Sequence, residues 1–436
     1  MSSLRAAPHP IRRRLAVPAF CRTVLFLIAG ALTWQGAQAQ ALEQVVRVAL
    51  DKHPRMAELR QAVEAARAEV EIPQTSRNLQ MFLEGGVGSQ HTKDTGTSSL
   101  VNPALRLRKM VHDSGRTDGE VRLREARLGG VRSTLEAGQE DLALETVTAY
   151  VQVARANDTL GAAREWLEGL RAIASMTEEI QRIDRGRQFD NALAGSRVQR
   201  ANAEILAHTT SLADARAQLV GLVGAPVDVV LPLPGWAPSQ ADGAGASVAT
   251  HPRMRIAGAT IEVAREQASL DRLYDRPTVS VEAFAASGRD MWGRFRPVNN
   301  LGVQFVGNVA LLDGGTGAAT SKASLVRMQE AERAREATEV ELLTALSRLR
   351  SLLEGREDRR KSFDLAHRQA VELAARMREQ FQAGRRPLVD LLSQETEIYQ
   401  TRLSELGEHY DALLAQARMA HASGRLLAAL RIEAQP

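Results

Sequence analysis

The chain of 436 residues carries nine histidines, 52 acidic and 56 basic side chains, so material for catalysis is plentiful. Its spacing argues against catalysis. No pair of histidines has the H-E-x-x-H separation that puts two imidazoles on one helix face for a metal, and no nucleophile elbow, P-loop or dinucleotide fingerprint occurs. The glycines of GGVGS, residues 85–89, follow a strand pattern but open no helix, so they do not cradle phosphate. His53 and His251 each precede a proline near a helix start and are structural. What remains is charge at points of punctuation. Asp113 with Gly115, and Asp313 with Gly315, stand where a strand pattern gives way to a helix, the place of a turn and an N-cap. Glu84 and Glu282 fall on the polar side of alternating segments, as lumen lining or a charge ring. Gly186-Arg187 and Gly384-Arg385 break long helical runs, and Asp190, Phe381, Arg386 and Asp390 flank those breaks. Exposed charges of this kind contribute about 0–1 kcal/mol per pair. The chemistry on offer is electrostatic and positional, without a cofactor or metal.

The elements that carry these residues come in two copies. His53-Pro54-Arg55-Met56 recurs as His251-Pro252-Arg253-Met254 at an offset of 198. Val63-Glu64 and Ala66-Arg67 match Ile261-Glu262 and Ala264-Arg265, Glu84 matches Glu282, and Gly186 matches Gly384 in the same register. Val111-His112-Asp113-Ser114-Gly115 matches Leu311-Leu312-Asp313-Gly314-Gly315 at an offset of 200. The first copy is expected over 40–224 and the second over 249–431, joined by a Pro/Gly/Ala-rich linker at 225–248 and followed by a tail at 432–436.

Each copy has one order. A helix comes first, from about 41 to 72 and from about 251 to 274. Period-two alternation then predicts strands at about 78–89, 100–112, 278–288 and 300–311. The second is the least regular, because Pro103 and Lys109 interrupt it. Proline-free helical runs follow at about 117–185 and 316–383, each on the order of 100 Å long. Returning helices are expected at about 188–223 and 388–431. Early and returning helices together match the long helix in length, so they can stack end to end beside it. Ala194, Ala201, Ala203, Ala213 and Ala217 allow close approach.

The fold class is therefore mainly α with four strands. Aromatics are only 4% of the chain, in keeping with long helical seams rather than one globular core. Arg12–Arg14, the apolar stretch from Thr23 to Leu32 and Ala37-Gln38-Ala39 read as a cleaved secretory signal over 1–39. That segment holds five Arg and no acidic residue, so its removal takes the formal charge from +4 to −1 and leaves no case for nucleic-acid binding. Cys21, the sole cysteine, lies inside the signal and after Phe20, which excludes a lipid anchor there, a disulfide and a thiolate metal site in the remainder. Without an apolar helix of spanning length, membrane crossing must use strands. Four strands cannot close around a lumen. Three chains would supply twelve, a closable even number continued by a helical cylinder.

At this point the residues resemble the TolC-like outer-membrane factor family over the whole chain after the signal. The carriers are the duplicated helix–strand–strand–helix–helix order, the turns Asp113-Ser114-Gly115-Arg116 and Asp313-Gly314-Gly315-Thr316, and the segment Phe381-Gln382-Ala383-Gly384-Arg385-Arg386-Pro387-Leu388-Val389-Asp390-Leu391-Leu392. The resemblance implies a homotrimeric outer-membrane channel without enzymatic activity. It would be set in outer-membrane lipid and dock a periplasmic adaptor and an inner-membrane ABC or proton-driven transporter. It also implies a periplasmic constriction with Asp390 ringing the pore, Arg386 holding neighbouring hairpins, and Asp190 as the acidic counterpart. Phe381 stands where some members have a tyrosine. Gly186, Arg187, Gly384 and Arg385 would be the adaptor-docking tips. The stretch from Asp390 to Leu427, with Glu395, Tyr399, Tyr410 and Ser423-Gly424-Arg425, is similar to the subgroup serving type I protein secretion. A small-molecule or metal-ion efflux duct, and a periplasmic coiled-coil scaffold without a pore, are the alternatives.

Overall fold

A computed structural model describes residues 42–92, 96–183, 188–229, 248–290 and 298–432. The signal expected over 1–39, most of the expected linker, Gly186, Arg187 and the last four residues lie outside that set. In chain order the first copy comprises α1 (Leu42–Lys52), α2 (Pro54–Thr75), β1 (Gln80–Thr92), β2 (Gly96–His112), α3 (Arg116–Ile183) and α4 (Gln188–Val223). The second comprises α5 (Pro252–Asp271), β3 (Thr278–Asp290), β4 (Val298–Asn308), α6 (Thr316–Gln382), α7 (Leu388–Ala422) and a terminal turn of helix, α8 (Leu426–Ala429).

The first helix is split, not continuous from 41 to 72. Pro54 lacks the N–H that a continued helix would need, so it opens α2 instead, and His53 caps it by accepting the Arg55 N–H at Nδ1, 3.2 Å away. The second copy repeats the device: His251 Nδ1 accepts from Arg253 N at 3.1 Å. His251 is also bonded at Nε2, 3.2 Å from the His421 carbonyl oxygen. The ring therefore carries its proton on Nε2 and is neutral, and burial holds its pKa below the usual histidine value.

The sheet order is β1-β2-β3-β4, antiparallel throughout, and β2–β3 joins the two copies. Gln80↔Arg108, Arg108↔Glu282 and Glu282↔Gln304 place these residues across one row. Several strand boundaries depart from the sequence pattern. The outer ends of β1 and β3 extend to Thr92 and Asp290, and β2 begins four residues early, at Gly96. β4 stops at Asn308 although Val309 and Leu311 keep the alternation, because its partner begins at Thr278, just after Pro277. β2 runs through Pro103. The β2–β3 ladder skips Asn102 and Pro103 and resumes at Ala104 in unchanged register, so the missing donor opens a local gap without shifting the strand.

Each strand-to-helix turn is built by one aspartate. Asp113 accepts from Gly115 N at 3.0 Å and Thr117 N at 2.9 Å, while Ser114 (φ 54°) and Gly115 (φ 82°) turn through the left-handed region. Asp313 accepts from Gly315 N and Gly317 N at 2.9 and 2.6 Å, with Gly314 and Gly315 at positive φ. Burial opposes ionisation of Asp113, but the Thr117 and Gly115 donors and the Arg77 guanidinium outweigh it, and its pKa is lowered. A depressed acid pKa contributes stability that is complete above the unfolded value of about 3.9 and is lost as pH falls through the folded value. Asp113→Asn, whose amide has one acceptor oxygen for the two N–H donors, should therefore lower stability by about 1 kcal/mol at pH 7. It should also flatten the acid limb of a thermal-midpoint titration below about pH 4. A wild-type acid limb in the variant would refute the assignment.

α3 is the spine. α2 and α4 pack along it end to end, as do α5 and α7, and α6 is covered within the chain by α5 and α7. The densest apolar burial lies at mid-length. There Leu142, Val147, Tyr150 and Ala154 of α3 meet Leu42, Val45 and Val46 of α1, Leu219 of α4 and Leu414 of α7. α7 does not run to 431: it ends at Ala422, with Gly424 at φ 64° and Arg425 N bonded to Ala420 O. The chain then re-enters as α8, whose first N–H groups at Leu426 and Leu427 are received by the Glu140 carboxylate of α3, at 3.1 and 3.4 Å.

Candidate functional site

The sheet has two chemically distinct faces. Met81, Leu83, Val87, Leu105, Leu107, Val281, Ala283, Leu301, Val303 and Phe305 stand on one. Several are almost fully exposed, Leu301 at 88% and Leu83 at 82%. Glu84, Arg106, Arg108, Glu282 and Gln304 stand on the other. Arg106 donates to Glu84 at 3.1 Å and to Glu282 at 3.3 Å, and Arg108 Nε donates to Glu282 at 2.7 Å. Two glutamates at equivalent repeat positions thus have different lives. Glu84 sits on the edge strand with its side chain half exposed; Glu282, between β2 and β4, is 2% exposed and doubly paired. The carboxylates are neutralised and do not form a ring of free negative charge. Arg106 and Arg108 were missed in the sequence. The alternation Leu105-Arg106-Leu107-Arg108 carries the signal, between the interruptions Pro103 and Lys109.

At the α6–α7 hairpin, Gly384 (φ 70°) ends α6 with Arg385 N bonded to Gln380 O and Gly384 N to Phe381 O, both 2.9 Å. Pro387 then enters α7. Arg386 donates Nε to Gln380 Oε1 at 2.9 Å and Nη1 to Asp390 Oδ2 at 3.3 Å. Both side chains of that ion pair remain partly exposed, as an i,i+4 pair on one hairpin. Arg385 is exposed. Phe381 is 1% exposed and packs with Leu388, Leu391 and Leu392, behind the tip rather than on its surface. Asp190 lies in the first turn of α4. Gly186 and Arg187 lie outside the described residues.

Behind the tip, three helices are locked together. Arg378 of α6 donates to Glu395 of α7 at 2.7 Å, and Glu395 is 6% exposed against α3. A Cβ at Gly169 would fall 2.6 Å from its carboxylate, so glycine makes room for the pair. Trp166 of α3 stacks on Tyr399 of α7 at 4.5 Å, and the Tyr399 hydroxyl is bonded to His208 of α4 at 2.9 Å. Burial pushes the Tyr399 pKa up to about 12, so it stays a neutral hydroxyl. Further along, Asp411 of α7 receives Arg155 of α3 and Arg356 of α6, each at 3.0 Å.

Among the described residues, no group of three or more His, Cys, Asp or Glu side chains could hold a metal, and no helix is long and apolar enough to cross a membrane. A sheet with one bare apolar face and one polar, ion-paired face, running directly into helices on the order of 100 Å long, defines a wall segment of a membrane-spanning duct. The outer membrane efflux protein model matches residues 45–225 and again 245–425. The chain belongs to the outer membrane efflux protein family: it is an outer-membrane transport channel and not an enzyme. Among solved structures, the CusC channel superposes with a TM-score of 0.74 at 16% identity, covering 89% of this chain and 91% of that one. The Campylobacter jejuni CmeC outer-membrane channel gives 0.73 at 13% identity, covering 96% and 94%. The open-state MtrE channel of Neisseria gonorrhoeae gives 0.70 at 16%, covering 88% and 89%. These likenesses establish a shared fold. No curated protein matches the sequence.

Proposed function

We propose that three copies of this chain close a twelve-stranded barrel and a helical cylinder, forming the outer-membrane duct of a tripartite export machine whose cargo is a secreted protein. The observation that carries the duct is the sheet itself. Among the described residues β1 and β4 are unpaired edges flanking an exposed apolar face, and unpaired edge groups in lipid cost several kcal/mol each. Closure by further copies removes both edges and turns the Glu84–Arg106–Glu282–Arg108 cluster inward. The paired charges of that cluster favour no sign of cargo, in keeping with selection by an inner-membrane transporter delivered through a periplasmic adaptor at the hairpin tips.

Protein cargo is supported by the stretch from Asp390 to Leu427 and its likeness to the type I secretion subgroup. The efflux reading is favoured by the family description. A deletion strain separates them. Loss of one large protein from the culture supernatant, restored by the gene, supports secretion. Unchanged supernatant with raised sensitivity to small toxic compounds or metal ions refutes it.

Arg386 and Asp390 form the periplasmic constriction in this proposal, with Asp190 contributing from the first copy. Asp390→Ala should raise single-channel conductance in planar bilayers and weaken block by multivalent cations, because it removes three carboxylates from one ring. Conductance and block equal to wild type would remove Asp390 from the constriction.

A further inference from the structure

Arg106 and Arg108 on the polar face, Arg386 at the hairpin tip and Arg378 behind it are each paired with a carboxylate. Lys109 has a different setting. It stands on the apolar face of β2, in line with Leu105 and Leu107 and opposite Val281 of β3. It is exposed and, among the described residues, makes no hydrogen bond or ion pair. Glu84 and Glu282 point from the other face and are held by Arg106 and Arg108.

Its height can be read from the turns. β2 and β4 run parallel, so Asp113 and Asp313 mark the same end of the sheet, where the long helices begin. Leu311 and Leu312, directly before Asp313, are 90% and 95% exposed, and Tyr274 lies beside that turn, half exposed. Bare leucines and a partly exposed tyrosine mark the boundary between hydrocarbon and headgroups. Lys109 is three residues above the strand end, about 10 Å along the strand and about 8 Å in height for a tilt near 40°. A lysine stem spans about 6 Å, which brings the ammonium down to the level of the headgroup phosphates when it snorkels.

From this setting we infer that Lys109 docks the phosphate of a phospholipid headgroup in the periplasmic leaflet, tying the outer wall of the duct to a bound lipid. The apolar face supplies acyl contact for the same molecule through Leu107 and Val281. This rests on the barrel reading above.

The test uses the detergent-solubilised complex titrated with phosphatidylglycerol and followed by native mass spectrometry. Lys109→Gln and Lys109→Leu should each weaken lipid retention about fivefold, the share of one cation at a headgroup. The leucine variant keeps the fold because its neighbours on that face are apolar. Lys361→Gln, at an exposed residue of α6 paired with Glu357, should retain lipid as wild type does. Wild-type retention in both Lys109 variants, or equal loss in Lys361→Gln, overturns the inference while leaving the barrel intact. A chain that leaves cells without detergent would instead overturn the barrel reading itself.

Discussion

Val303→Arg will keep the chain out of the outer membrane, whereas Gln304→Arg, one residue away, will leave assembly intact. The two positions differ only in the face they present. Val303 is 72% exposed on the apolar face of β4, between Leu301 and Phe305. Gln304 lies opposite Glu282 on the polar face. An arginine facing lipid near the bilayer midplane costs about 2–4 kcal/mol per chain, and closure into a trimer multiplies that cost. An arginine beside Glu282 enters a face already built from guanidinium and carboxylate groups. Folded complex recovered from outer-membrane fractions is the measure. Equal yields from the two variants, or a worse yield from Gln304→Arg, would mean that the faces are assigned backwards or that the sheet does not meet lipid.

Gly424→Ala should cost about 2–4 kcal/mol, far beyond an ordinary surface substitution. Two independent effects combine. Gly424 has φ 64°, which a side chain disfavours, and a Cβ there would lie 2.8 Å from Pro252 Cδ and 3.1 Å from His251 Cα. The obstacle is a proline ring and a backbone atom, so nothing can swing aside. His251 and Pro252 are the cap and first residue of α5, and His251 Nε2 donates to His421 near the end of α7. The substitution therefore strikes the joint where α7 meets α5 end to end beside the long helices. Thermal unfolding of the complex in detergent, at matched protein concentration, should show a large fall in midpoint. Ser423→Ala, beside it and without positive φ, should change little. A midpoint for Gly424→Ala within error of wild type would show that the joint is slack.

Much of this was legible in the sequence because it depends on local rules. Pro252 after His251 opens a helix where one is expected, and Asp-x-Gly after an alternating run makes a capped turn in both copies, whereas the same step at Pro54 divides the helix expected over 41–72. Alternation in Leu301, Val303 and Phe305 told strand from helix and identified the apolar face. What was not legible depends on partners distant in the chain. β4 ends where β3 runs out of backbone donors, a fact about Pro277 rather than about Val309 or Leu311. Pro103 interrupts the β2–β3 ladder for two residues without shifting its register, which only the pairing reveals. The break after Ala422 is a helix stop at Gly424, but its reason is the approach of Pro252, 172 residues earlier. At the site, Glu84 and Glu282 were read from their own strands, while the arginines that neutralise them come from β2. Gly169 gave no signal at all: its absent side chain matters only because Glu395 is folded against it.

The described residues form a unit that cannot close by itself: four strands, two open edges and one bare apolar face. The mass of the detergent-solubilised protein tests this most directly. Three chains per particle, each 47.5 kDa less whatever its signal removes, is the predicted result. A stable, folded monomer, or a particle that stays soluble without detergent, would contradict it.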